Sequence, residues 1–150
     1  NEGPRGALAV GDLRTADDHL QAFGSPVEAA LAAEHLVLRA ELALRQDGDG
    51  RRVEAEHLAH QAIERADTAG RPDLVCEALD VVARSARSRR LEDAVDPLRR
   101  SLAMAEDAGL VRWRLRALNE LGTVEMLATA DGRRLDRARR EAQAAGALDV

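Results

Sequence analysis

The sequence predicts an all-α fold built as an array of helical repeats, and three observations predict it. Alanine occurs 30 times and leucine 21 times in 150 residues, while tyrosine is absent and Phe, Trp and Ile appear once each, so helix formers dominate and strand formers are scarce. Glycines stand at near-regular intervals at the ends of Ala-rich amphipathic stretches: Gly24, Gly70, Gly109 and Gly146, spaced by 46, 39 and 37 residues. Two are followed closely by proline, as Gly24-Ser25-Pro26 and Gly70-Arg71-Pro72, the order expected where one helix ends on a left-handed residue and the next starts without an N–H. Such spacings fit two helices and two turns, and helical arrays of this kind bind partners more often than they transform them.

Taken in order, the elements read as follows. A first helix is expected over 5–22, with Leu8, Leu13, Ala16 and Leu20 on one side. A second runs from Pro26 to about 46, with Ala30, Ala33, Val37, Ala40 and Leu44 at helical spacing. The turn Asp47-Gly48-Asp49-Gly50 breaks it, and a partner helix over 51–68 buries Val53, Leu58, Ala62, Ile63 and Ala66. The next pair is expected over 72–87, burying Leu74, Val75, Ala78, Leu79 and Val82, and over 91–107, burying Leu91, Ala94, Val95, Leu98, Leu102 and Ala105. Pro97 within the latter predicts a kink or a late start. The last pair is expected over 110–128, from Val111, Leu115, Leu118 and Leu121, and over 132–145, from Leu135, Ala138 and Ala142.

Internal similarity supports the pairing. Asp49-Gly50-Arg51-Arg52-Val53 recurs 82 residues later as Asp131-Gly132-Arg133-Arg134-Leu135, with Ser88-Arg89-Arg90-Leu91 between them, each read as the turn inside a pair. The stretch 69–79 aligns with 108–118 at a shift of 39.

Composition excludes several functions. Every one of the 22 basic residues is arginine, so no phosphate-loop, Schiff-base or general-base lysine exists in this sequence. No Gly-x-Ser-x-Gly or paired-carboxylate motif stands out, and an enzyme is not expected. The single Cys76 cannot form an internal disulfide and reads as a buried, inert thiol. No apolar run approaches the roughly 18 residues of a membrane span, and the expected compartment is the cytoplasm. The net charge of −5 is unevenly spread. Residues 1–83 hold 8 arginines against 16 acids and residues 84–140 hold 14 against 9, and the basic part reads as a solvated helix surface. The sequence reads as one helical-repeat domain over 1–150, a fragment of a longer protein.

Candidate chemistry falls to bland readings. His57 and His60 lack a further ligand set and read as exposed, with no metal or other cofactor expected. Asp47-Gly48-Asp49-Gly50 resembles the start of a calcium loop, but Leu58 occupies the position of the bidentate glutamate, so it reads as a turn. Arg133, Arg134, Arg137, Arg139 and Arg140 form the densest basic run without aromatic interleaving, and direct nucleic-acid contact is not expected. Trp113 among Arg112, Arg114 and Arg116 is either a packing position, since it aligns with Leu74, or a groove contact.

Leu118-x-x-Leu121-Gly122 followed by Ala138 resembles the tetratricopeptide repeat, and Leu79-x-x-Val82-Ala83 with Ala94 is a weaker match. The family's aromatic in the second turn of its first helix is replaced by Glu125 and Ala86, and the repeats exceed the family's usual length. The Ala/Leu/Arg-rich style is similar to the helical-repeat region of large bacterial LuxR-type transcriptional regulators. That resemblance implies a tetratricopeptide-like α-solenoid of about seven helices in antiparallel pairs, whose first helices line a concave face carrying Glu77, Val81, Trp113, Arg116 and Glu120. It implies an interaction or effector-sensing domain that binds a protein, a peptide, other domains of the same chain or a small effector, not DNA, and that could form a homodimer. The alternative is a protein–protein scaffold module unrelated to transcription.

Overall fold

The computed structural model describes residues 25–148, which form five α-helices and one 3-10 segment with no strand. The helix expected over 5–22, and Gly24, lie outside the described residues. Helix α1, Pro26–Arg45, opens as its sequence asks: Pro26 takes the first turn, and the Ser25 hydroxyl accepts a hydrogen bond from the Glu28 amide at 3.1 Å. The chain then turns through Gly48, at φ 115° and ψ 148°, into α2, Asp49–Ala69. Gly70 closes α2 in the left-handed region at φ 64°, its own amide donating to Asp67 and the Arg71 amide donating to the Ala66 carbonyl at 2.9 Å. Pro72 then begins α3, Pro72–Arg87.

A 3-10 turn over Leu91–Ala94 leads into α4, Val95–Ala108, so the late start that Pro97 predicted is what occurs. Pro97 sits in the first turn of α4, where its missing N–H would have found no partner. Gly109, at φ 68°, ends α4 as Gly70 ends α2, with the Leu110 amide donating to the Ala105 carbonyl.

The last pair departs from expectation. Residues 111–148 form one continuous helix, α5, Val111–Leu148, and not two helices joined at residue 132. Gly132 and Gly146 lie inside α5, so neither marks a helix stop. The physical reason lies one residue upstream of the repeated string. The first copy, Asp49-Gly50-Arg51-Arg52, follows a turn made by Gly48, whose backbone only glycine adopts without strain. The corresponding position of the second copy is Ala130, which favours helix. At about 1.5 Å per residue, the 38 residues of α5 span roughly 57 Å.

Each helix packs against the next, and α3 also touches α1 and α5, which makes α3 the shared element. One buried cluster joins α1, α2 and α3 through Ala33, Val37, Ala40, Leu58, Ala59, Ala62, Ile63, Leu74, Val75, Leu79 and Val82. A second joins α3, α4 and α5 through Ala83, Ala94, Leu98, Leu121 and Val124. The many alanines let backbones approach closely, so burial is high although side chains are small. Three expected core faces shift. Val53 is exposed on α2, and on α5 the face of Val111, Leu115 and Leu118 is exposed while Ala117, Leu121 and Val124 are buried. Residues 131–146 of α5 are exposed throughout, Leu135, Ala138 and Ala142 included.

The glycines make this geometry measurable. Gly109→Ala forces a left-handed alanine and should destabilise the fold by about 1 kcal/mol. Gly132→Ala, in an exposed helix interior, should stabilise it by about 0.5–1 kcal/mol. Urea or thermal unfolding of both variants checks the opposite signs; a destabilising Gly132→Ala would contradict a continuous α5.

Candidate functional site

Aspartate 80 stands in the run Ala78-Leu79-Asp80-Val81-Val82-Ala83, and it is the only charged residue buried among those described. Burying an isolated carboxylate is costly unless charge and hydrogen bonds compensate it. Two arginines do so. Arg116 of α5 grips it with both arms, Nε to Oδ1 at 2.9 Å and Nη2 to Oδ2 at 3.1 Å. Arg84, one turn further along α3, donates from Nε to Oδ2 at 3.0 Å and reaches Glu41 of α1 with its Nη2. Three helices are therefore tied by one chain of charges, Glu41–Arg84–Asp80–Arg116.

Glu120 completes the cluster from α5. Its Oε2 is buried, 3.9 Å from Arg116 Nε, and no donor satisfies it, because Arg116 is committed to Asp80. Two carboxyl groups thus compete for one guanidinium. Burial pushes the Glu120 carboxyl up, and a hydrogen bond to Asp80 and the Asp80 charge raise it further, to about 8. Asp80 moves the other way: burial would raise it, but hydrogen bonds from Glu120 and Arg116 and the charges of Arg84 and Arg116 hold it below the usual carboxylate range. Near neutrality the pair therefore carries one proton, on Glu120, which can donate to Asp80.

Beside this cluster, α1 and α3 flank an open groove of about 460 Å³. Val37, Leu38 and Leu74 supply its apolar lining, and Glu34, Glu41, Asp73 and Glu77 surround them with Arg45 and Arg71. Arg71 is occupied by Asp73, Nε to Oδ1 at 3.0 Å and Nη2 to Oδ2 at 2.9 Å. Glu77 is half-buried; burial first, and the nearby Glu41 second, push its carboxyl upward, with Arg112 opposing. Among the described residues no arginine reaches Glu77 within ion-pair distance.

The five expected groove residues therefore separate. Arg116 and Glu120 come together on Asp80, and Glu77 lines the α1–α3 groove. Trp113 is partly buried one turn before Arg116, with the Arg112 guanidinium 5.1 Å from its ring centre. Val81 is a correction: it is fully buried in the α1–α2–α3 cluster, because it packs into the apolar core rather than onto the groove that Leu74 and Glu77 line. Asp80, Arg84 and Glu41 were missed. Asp80 had a readable signal, an acid interrupting a six-residue apolar run, which implies a buried ion with a partner.

His57 and His60 are exposed, and the described residues contain no group that could hold a metal. Cys76 is buried, its thiol donating toward the Ser101 carbonyl at 3.5 Å and raised by burial. The arginine run 133–140 is exposed on α5, with Arg137 paired to Glu141 at 3.1 Å. No helix of the described residues is long and apolar enough to cross a membrane. Comparison with protein-family models, curated proteins and solved structures finds no match to this chain.

Replacing Asp80 by Asn should destabilise the protein by about 2 kcal/mol, below the ~3–5 kcal/mol of fully buried pairs because the Arg116 side chain keeps 44% exposure. Chemical denaturation checks it; a change under about 0.5 kcal/mol, the scale of ordinary surface substitutions, would contradict the network.

Proposed function

We propose that this chain is the helical-repeat interaction or effector-sensing domain of a bacterial transcriptional regulator of the LuxR type, binding a protein, peptide or small effector and not DNA. In this reading α1/α2 and α3/α4 are antiparallel pairs of a tetratricopeptide-like solenoid, α5 opens the next repeat, and α1, α3 and α5 form its ligand-facing side. The observation that carries the reading is the α1–α3 groove: an apolar floor of Val37, Leu38 and Leu74 under four carboxylates, in a volume of about 460 Å³. Glu77 is the group a ligand would complement best, since a cation set beside a half-buried carboxylate relieves its burial. The fitting ligand presents an ammonium or guanidinium next to an apolar surface. The exposed arginines over 133–140 of α5 serve solubility or contacts with neighbouring domains. In this reading ATP and DNA binding belong to other parts of the regulator.

Titration calorimetry with amphipathic peptides tests the reading. Basic peptides should bind, acidic peptides of equal hydropathy should not, and Glu77→Gln should weaken binding several-fold while unfolding stability stays near wild type. Equal binding of both peptide classes, or undiminished binding to the Gln variant, would contradict the groove assignment; tight sequence-specific DNA binding by this chain would overturn the division of labour.

A further inference from the structure

The Asp80–Glu120 pair lies beside the groove, and neither of its carboxyl groups lines it. It sits in the seam between α3 and α5, where α5, packed chiefly on α4, also meets α3. We propose that this pair is a proton-dependent latch: α5 stays docked on α3 while Glu120 carries its proton, and shifts outward when the proton is lost.

The geometry around Glu120 carries the inference. From α3 it faces Asp80, Arg84 and Arg87, and from its own helix Arg116. Ala94 of the 3-10 segment and Leu98 of α4 close the remaining side without charge, and Glu41 of α1 enters through Arg84. None of the three arginines around it donates to the buried Oε2: Arg87 lends its charge from α3 but makes no hydrogen bond to it. Arg116 spends both arms on Asp80, and Arg84 divides itself between Asp80 and Glu41. An ionised Glu120 therefore leaves a buried oxygen without a donor and a like charge beside Asp80. The relief is movement of α5 away from α3: Ala117, Leu121 and Val124 are its buried residues, and residues 131–146 are exposed.

The sign follows from linkage. The Glu120 carboxyl is raised in the folded state from 4.5 to about 8, so the docked form holds a proton that the released form gives up. Docking is fully stabilised at and below the ordinary carboxyl range, weakens as pH rises above it, and loses this contribution as pH passes about 8. Over mildly alkaline pH the latch is poised to respond.

Trp113, the chain's single tryptophan and one turn from Arg116, reports on the seat. The test follows its emission maximum and acrylamide quenching in the full chain from pH 6 to 9.5, beside Glu120→Gln. Wild type should shift reversibly to redder, more quenchable emission with a midpoint near 8. Thermal stability should fall over the same interval. E120Q should keep the low-pH signal throughout, with unchanged helix content by circular dichroism. Histidines, the thiol and the chain amine are retained in both proteins, so the difference belongs to Glu120. A flat wild-type titration, or the same titration in E120Q, overturns the proposal. If E120Q does not fold, Glu120→Leu takes its place. Failure of both neutral variants to fold at pH 6 also overturns it, because the neutral side chain is the state said to hold α5.

Discussion

A single buried carboxylate sets the terms on which α1, α3 and α5 meet. Asp80 lies at 4% exposure in the middle of α3, where hydrophobic contact alone would favour a leucine. Once an acid stands there, its charge has to be answered from the neighbouring helices. Arg116 answers from α5 with a bidentate grip, and Arg84 links the same carboxylate to Glu41 on α1. Apolar packing is tolerant of sliding, and alanine-rich packing is more so because each side chain offers little relief. A two-point guanidinium–carboxylate contact is not tolerant of it, so the network supplies the register that the small side chains leave loose.

The rest of the architecture is arranged around that helix. Its first cluster fills the space below with α1 and α2, its second fills the space above with α4 and the start of α5, and most of α3 is buried as a result. Smaller polar contacts repeat the pattern at the seams. Ser85, buried on α3, places its hydroxyl 3.0 Å from Glu56 Oε2 and 3.2 Å from the Arg52 carbonyl on α2, and Arg89 pairs with the same glutamate. Burial would raise Glu56, but these hydrogen bonds outweigh it and hold the carboxyl low.

Local signals in the sequence were legible where they stated a backbone requirement. Ser25-Pro26, Gly70 with Pro72, Gly109 and Pro97 mark helix ends that occur where they stand, because caps depend on residues within one turn. The expected buried set of α3, Leu74, Val75, Ala78, Leu79 and Val82, is buried in full. Legibility failed where one substitution outvoted a resemblance: the second Asp-Gly-Arg-Arg string looks like a turn, yet Ala130 stands where Gly48 made the first turn possible. The face of α5 was misread for a related reason. Of the expected Val111, Leu115, Leu118 and Leu121, only Leu121 is buried; the stripe is Ala117, Leu121 and Val124, rotated so that Arg116 and Glu120 reach Asp80. Arg116 and Glu120 were foreseen as one surface, while the acid that unites them came from another helix, 36 residues away, and such long-range pairing leaves no periodic trace.

A double-mutant cycle between Asp80 and Arg116 tests the central claim most directly, because it isolates their mutual energy from everything either residue does alone. Asp80→Ala, Arg116→Ala and the double variant are compared by urea unfolding. The account predicts a favourable coupling energy of about 1–3 kcal/mol. A coupling below about 0.3 kcal/mol, the level at which independent sites add, would mean that α5 is seated by apolar packing alone.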